Sequence, residues 1–179
     1  IVTSQTEFLA IPKLEISDNK DAKCWLQVDT RNKVRKTTAY VLLFSQYDVE
    51  YSKITIINTT LLSMYLTELL NSELYYAQCQ GYIVEITSVS QGLMIKIDGF
   101  DEHIFNILDK ILSMLHTQFN EHAYSLILKQ FIESHEQTIL SLDPIEHYTK
   151  FYRIINNTAR ITPEDVKEIT GRITMNDMI

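Results

Sequence analysis

Glycine, proline and cysteine are scarce in this 179-residue chain, and each scarcity excludes a class of protein. Four glycines and three prolines are too few for a collagen-like or proline-rich chain. The two cysteines, Cys24 and Cys79, form no CxxC motif and no disulfide framework. Both stand among apolar neighbours in the sequence, so we expect buried free thiols in a reducing compartment.

Long apolar runs and an excess of basic charge are also missing. No stretch approaches the ~18–20 apolar residues that a membrane-spanning helix needs, so we expect no membrane partner. Lysine and arginine number 16 against 23 aspartates and glutamates, and the net charge of -7 disfavours nucleic acid as a partner. With 45% hydrophobic and 22% charged residues, the chain has the composition of a folded globular domain.

The two ends of the sequence resemble those of a segment from a longer polypeptide. The chain begins Ile1-Val2-Thr3-Ser4, without the basic and apolar regions of a signal peptide. It ends on Ile179, an apolar residue within what the pattern indicates is an unfinished element. We therefore expect a fragment that is truncated at its C-terminus.

The spacing of apolar residues alternates along the chain between that of strands and that of helices. Period-two segments predict four strands, in Ala22–Asp29, Thr37–Ser45, Tyr82–Ser88 and Gly92–Asp98. A recurrence every three to four residues predicts a helix over Ile54–Leu70, and the chain beyond the fourth strand is helical throughout. We expect the first two strands to pair with each other and the last two to form a hairpin. This order predicts an α+β fold, a mostly antiparallel sheet with helices packed on one face.

Capping residues mark the expected ends of the helices. Ser72 predicts the start of a second helix that ends near Gln80, with Gly81 in a left-handed conformation behind it. The signals for later helix starts are N-cap residues, two of them followed by proline: Asp101, Asn120, Asp143-Pro144 and Thr162-Pro163.

Motifs that carry chemistry are absent from the sequence. It contains no GxSxG, no P-loop, no GxGxxG and no two histidines spaced four residues apart. The nearest approach to the inverted zinc motif HxxEH runs from Gln118 to His122, where glutamine replaces the first ligand. The basic run Arg31–Lys36 could receive an anion, although a solvated hairpin tip is the commoner explanation. We therefore assign no catalytic and no metal-binding residues, and the substrate-binding residues are unknown.

Five segments, in the same order, resemble the insulinase (pitrilysin-type) family of zinc metalloproteases. Leu69–Ile86 is similar to a family helix of pattern Leu-x-Glu-x-x-Tyr-x-Ala that leads into a strand. Ser90–Glu102 resembles the second strand of the hairpin that follows and the next helix start. Shorter matches lie in Glu7–Pro12, Cys24–Asp29 and Thr162–Ile169.

The resemblance implies four homologous α+β domains whose two halves enclose a chamber in which peptides are cut. Residues 1–21 would then be a linker or arm, and residues 22–179 most of the third, middle domain. In the family, the two histidines of HxxEH and a downstream glutamate hold zinc in the first domain, and the motif glutamate activates a water. The corresponding helix in this chain, Ile57–Leu70, contains no histidine. The resemblance thus implies a non-catalytic domain without a cofactor, with zinc expected in the first domain of the parent protein.

The resemblance also implies partners and surroundings. The partners are the catalytic half of the same polypeptide and the peptides that the parent, a cytoplasmic zinc metalloendopeptidase, degrades. An exposed sheet edge would in addition permit self-association.

Some features depart from the family and leave other interpretations open. Lys33–Thr37 lacks the proline that the family carries after the first strand, and Gly81-Tyr82 stands where Ala-Gly-Leu is expected. These departures put local substrate contacts in doubt. The alternatives are a non-peptidase structural relative of the same fold and an unrelated α+β protein-interaction module.

Overall fold

The computed structural model of the chain describes most residues of the sheet and helices. The described residues are 13–16, 23–27, 35–44, 53–89, 92–100, 103–115, 120–141, 143–146, 148–149, 152 and 161–175. The chain divides into two units, Ile1–Arg35 and Lys36–Ile179. The expected cap at Asp101 lies outside the described residues.

The first unit contains a short antiparallel pair of strands. Strand β1 spans Lys13–Ile16 and strand β2 spans Cys24–Leu26, with Lys13 opposite Leu26. The prediction that the strand at Cys24 pairs with the strand that follows it was wrong, because its partner is β1. Sequence analysis missed β1 since four residues are too short for a period-two pattern to stand out.

The second unit is built on a three-stranded antiparallel sheet of order β3-β5-β4. Strand β3 spans Lys36–Phe44, β4 spans Ile83–Val89 and β5 spans Gly92–Phe100. The predicted hairpin between the last two strands is confirmed, and β5 is the central strand because β3 pairs with its other edge. Side chains alternate across each strand, so every second residue points to the helices and the others point away.

Five helices of the second unit have defined bounds. They are α1 (Lys53–Glu73), α2 (Tyr75–Cys79), α3 (Ile104–Leu115), α4 (Glu121–Ser141) and α5 (Pro163–Thr170). Helices α1 and α3 pack their buried side chains against the inward face of the sheet, and α4 and α5 pack on α1, which confirms the predicted α+β class. Residues 144–146 are also helical.

The hydrophobic core consists of two clusters that share helix α1. The first lies between the sheet, α1 and α3, and contains Leu66, Leu70, Leu74, Tyr82, Leu93, Ile95, Ile97, Ile104, Ile107 and Ile111. The second lies between α1, α4 and α5, and contains Ile57, Leu61, Tyr65, Tyr124, Ile127, Phe131 and Val166. Because α1 contributes to both, it is buried on two sides along its length.

Most of the predicted helix ends are confirmed. The side chain of Asn120 accepts hydrogen bonds from the backbone N–H groups of His122 at 2.9 Å and Ala123 at 3.4 Å. The side chain of Asp143 accepts from the N–H of Glu146 at 2.8 Å. These bonds satisfy donors that have no partner within the helix.

The predicted cap at Ser72 was wrong. Ser72 lies in the last turn of α1, with its hydroxyl 3.5 Å from the carbonyl oxygen of Leu69, and α2 begins behind Leu74 without a side-chain cap. The reason is that Leu70 and Leu74 are both buried in the first cluster, and helical geometry through Glu73 places them there. Gly81 has the predicted left-handed conformation, with φ of 89°.

A capping box lies at the start of α5, and an ion pair joins it to the start of α1. At the start of α5, Thr162 and Asp165 exchange hydrogen bonds, each side chain accepting from the other's backbone N–H. The same carboxylate accepts two hydrogen bonds from Lys53 Nζ, at 2.8 and 2.7 Å. Partial burial acts to raise the pKa of Asp165, but the hydrogen bonds from Lys53 and Thr162 together outweigh it, and the net pKa is lowered.

Gly92→Ala should destabilise the sheet. Gly92 has φ of 149°, and an added Cβ would overlap the carbonyl oxygen of Leu43 on the neighbouring strand. We expect a loss of about 2–3 kcal/mol in the free energy of unfolding. The control is Gly81→Ala, where φ is also positive but no atom lies within 4 Å of the added Cβ, so only about 1 kcal/mol is expected. Urea unfolding of both variants measures the difference, and equal losses would mean that contact with Leu43 does not constrain the sheet.

The charge on Asp165 should stabilise the fold in a pH-dependent manner. A carboxyl whose pKa is lower in the folded state contributes stability above its unfolded pKa of about 3.9, and this contribution disappears as the pH falls through the folded value. At pH 7 we expect Asp165→Asn to be less stable than the native chain by about 1 kcal/mol. Thermal unfolding of both chains from pH 7 down to pH 3 should show the difference shrinking; a constant difference would indicate that the charge is not responsible.

Candidate interaction surfaces

Three hydroxyl side chains of helix α1 donate hydrogen bonds to the backbone of the helix itself. The hydroxyl of Thr60 donates to the carbonyl oxygen of Ile56 at 2.7 Å. Ser63 donates to Thr60, and Thr67 donates to Ser63, also at 2.7 Å in each case. These hydroxyls donate to backbone carbonyl oxygens, which is the usual bonding of serine and threonine within a helix.

Tyr65 is a polar residue of α1 that is buried in the core. Its ring is 2% exposed, and its hydroxyl oxygen accepts a hydrogen bond of 2.8 Å from the backbone N–H of Asn120. Asn120 is the N-cap of α4, so this bond fixes the start of α4 against the middle of α1. The role of Tyr65 is therefore structural.

Three of the five histidines lie in the described part of the chain, two of them on α4 and the third ahead of α3. His103 stands just before α3, and His122 lies exposed in the first turn of α4. His135 contacts the carbonyl oxygen of Phe131 through Nδ1 at 3.0 Å, with the two rings 4.4 Å apart. His116 and His147 lie outside the described residues.

Within the described ranges, no three histidine, cysteine, aspartate or glutamate side chains are grouped as metal ligands would be. A catalytic zinc needs three such ligands, so these residues do not fit a zinc site. Gln118 is outside the described residues. The expectation that Gln118–His122 forms no metal site therefore stays a prediction.

Both cysteines are exposed, and the expectation that they are buried was wrong. Cys24 lies on the short strand β2, whose three residues are all exposed. Cys79 lies at the end of α2, a five-residue helix with no buried residue. Apolar sequence neighbours did not bury them, because each thiol lies on an exposed side of its element in the described part of the chain. Both are free thiols, as expected.

Part of the basic run lies in the described residues. Arg35 and Lys36 are exposed, and Lys36 Nζ lies 5.8 Å from the centre of the Phe100 ring across the β3–β5 pair. This distance is that of a cation–π contact at a solvated site. The rest of the run, residues 31–34, lies outside the described residues.

The outward face of the main sheet, which we call the open face, exposes large apolar side chains. Tyr40 and Phe44 on β3 are 65% and 63% exposed, and Leu42 lies between them. Ile83 on β4 and Phe100 on β5 are also exposed. No helix in the described part of the second unit covers these side chains, and exposed apolar groups gathered on one face are typical of an interaction surface.

An ion pair crosses the middle of the open face. Lys96 on the central strand donates to Glu85 Oε2 at 2.9 Å, directly across the β4–β5 pair. Tyr40 stands opposite Lys96 on the other side. The hydrogen bond to Glu85 raises the pKa of Lys96, so the amine stays charged. The open face therefore has a charged centre between apolar ends.

A groove of about 250 Å³ lies on the helical side of the molecule, between α1, α4 and strand β4. We call it the α1–α4 groove, and its lining comprises Ser63, Met64, Thr67, Glu68, Ile86, Ile127 and Gln130. Sequence analysis missed it, since its residues come from three separate elements. The only local signal is the polar pair Thr67-Glu68 within the apolar pattern of α1.

Comparison with known proteins identifies the class of this domain. Residues 3–168 match the family model described as the middle or third domain of peptidase M16. The match covers most of the chain, so the chain belongs to this family. The resemblance to insulinase-type proteases inferred from the sequence is thereby confirmed.

A longer curated protein is also similar to this chain. The A-factor-processing enzyme of Saccharomyces cerevisiae is 24% identical over 172 residues, which are 94% of this chain and 16% of the relative. The chain therefore spans about a sixth of the length of the relative that it matches. No helix among the described residues is both long enough and apolar enough to cross a membrane.

Proposed function

We propose that this chain is a non-catalytic middle domain of a zinc metalloendopeptidase, and that it forms part of the wall of a chamber in which peptides are degraded. Membership of the peptidase M16 middle-domain family supports the peptidase context. The observation that carries the non-catalytic role is helix α1, in which the hydroxyls of Thr60, Ser63 and Thr67 bond to the helix backbone and which contains no histidine.

Catalysis in this proposal belongs to the other half of the same polypeptide. A zinc ion bound there would activate a water for attack on the peptide carbonyl. The contribution of this chain is a rigid support, since its two core clusters fix the sheet and helices around α1. The relative's additional length leaves ample room for a catalytic half.

The open face is the surface that we assign to contacts with peptides or with the rest of the polypeptide. Its apolar ends suit apolar side chains, and the Lys96–Glu85 pair at its centre offers polar contacts. We also propose a reducing compartment, the cytoplasm, which is supported by two free and exposed thiols.

The isolated chain should neither bind zinc tightly nor hydrolyse peptides. Calorimetric titration with zinc chloride and a fluorogenic peptide assay test both expectations, with the full parent polypeptide as the positive control. Because the described residues gather no three ligands, we expect no stoichiometric binding at sub-micromolar concentrations. Tight binding that His122→Ala abolishes would contradict the proposal, and so would a parent polypeptide that cleaves no peptide.

The isolated chain should also associate with itself through the open face, because this apolar surface would have no partner. Light scattering over a range of concentrations measures the association. Phe44→Lys should reduce it, since Phe44 is mostly exposed and its replacement adds charge at little cost in folding. Ser125→Lys, which adds the same charge on the exposed side of α4, serves as the control. A monomer at every concentration, or an equal response of both variants, would contradict a role for this face.

A further inference from the structure

The α1–α4 groove has an apolar floor and a polar rim. Met64, Ile86 and Ile127 supply the apolar surface, from α1, β4 and α4 respectively. Ile127 is buried in the second core cluster, so the floor is fixed by the core. With a volume of about 250 Å³, the groove is below the range of about 300–1,000 Å³ for drug-sized ligands. It is large enough for a single long side chain.

The rim of the groove carries one negative charge. Glu68 and Gln130 are both exposed, and neither forms a hydrogen bond or an ion pair with another described residue. Thr67 donates its proton to the carbonyl oxygen of Ser63, so its oxygen faces a ligand as an acceptor. The rim therefore offers a carboxylate and two further acceptor oxygens, with no cationic residue in the lining.

We propose that the α1–α4 groove binds the side chain of an arginine residue of a peptide. The apolar stem of arginine would lie on Met64, Ile86 and Ile127, in the way that long basic side chains cover apolar surface. The guanidinium would then reach Glu68, where planar geometry permits two parallel hydrogen bonds to one carboxylate. A net charge of -7 on the chain favours the approach of a cationic peptide.

The larger number of N–H donors on its side chain favours arginine over lysine in this groove. The guanidinium carries five N–H groups in a planar fork, and it can bond to the Glu68 carboxylate and to the Gln130 carbonyl oxygen together. An ammonium group has three donors around one point and is more strongly hydrated, so it loses more on entering the groove. Arginine binding in this groove does not depend on peptide cleavage by the parent. A negative binding result would therefore leave the proposed function intact.

The experiment titrates the isolated chain with N-acetyl-arginine amide and follows backbone amide shifts by NMR. The matched ligand is N-acetyl-citrulline amide, which has nearly the same shape but no charge. We expect weak binding of the arginine compound, with shifts confined to α1, α4 and β4 around the groove, and at least about tenfold weaker binding of citrulline.

Two variants and one control complete the test. Glu68→Gln should weaken arginine binding about tenfold, and Gln130→Leu should weaken it less, since it removes a neutral acceptor. The control is Glu164→Gln at the start of α5. This control lies far from the groove, because Asp165 in the same turn bonds to Lys53 at the start of α1. Lys53 precedes Glu68 by 15 residues, which is about 22 Å along the helix.

The outcomes separate clearly. Shifts around the groove that are lost in Glu68→Gln and kept in Glu164→Gln support the site. Equal binding of arginine and citrulline, equal weakening in both charge variants, or shifts located elsewhere would overturn it. Circular dichroism of each variant establishes that the fold is kept; if Glu68→Gln does not fold, the citrulline comparison on the native chain decides.

Discussion

Burial of helix α1 on two sides is the constraint on which the second unit depends. Leu66 and Leu70 pack against the sheet and α3, whereas Ile57 and Leu61 pack against α4 and α5. A helix that is apolar around much of its circumference is stable only when its neighbours cover it. Each core cluster therefore requires α1, and α1 requires both clusters. The Lys53–Asp165 pair reinforces this arrangement at the start of the helix.

The double burial of α1 also determines which chemistry the domain can carry. Polar side chains on a buried helix must find partners, and the hydroxyls of Thr60, Ser63 and Thr67 find them in the helix backbone. A helix used in this way supports the elements packed on both of its sides. Groups that are free for recognition lie where α1 emerges from its neighbours, as Glu68 does at the α1–α4 groove. The open face lies on the other side of the sheet from α1.

Sequence reasoning succeeded where a local cue and the tertiary packing agree. Asn120 and Thr162 were identified as caps because their side chains act on N–H groups two or three residues away. It failed where packing overrides the local cue. Ser72 has the chemistry of a cap but lies within a helix that continues to bury Leu74, and Cys79 has apolar neighbours but belongs to a helix with no buried face. Strand β1 was missed because four residues carry too little pattern.

What the sequence by itself determined is the set of longer elements, their antiparallel arrangement in the main sheet, and the peptidase M16 family, because periodicity and motifs are properties of consecutive residues. Tertiary structure alone decided which strand pairs with β2, which thiols are exposed, and where a groove forms. Glu68 and Gln130 are 62 residues apart in the chain and face the same groove only because α1 and α4 pack side by side. Such proximity depends on how apolar faces are buried against one another, and no local pattern records it.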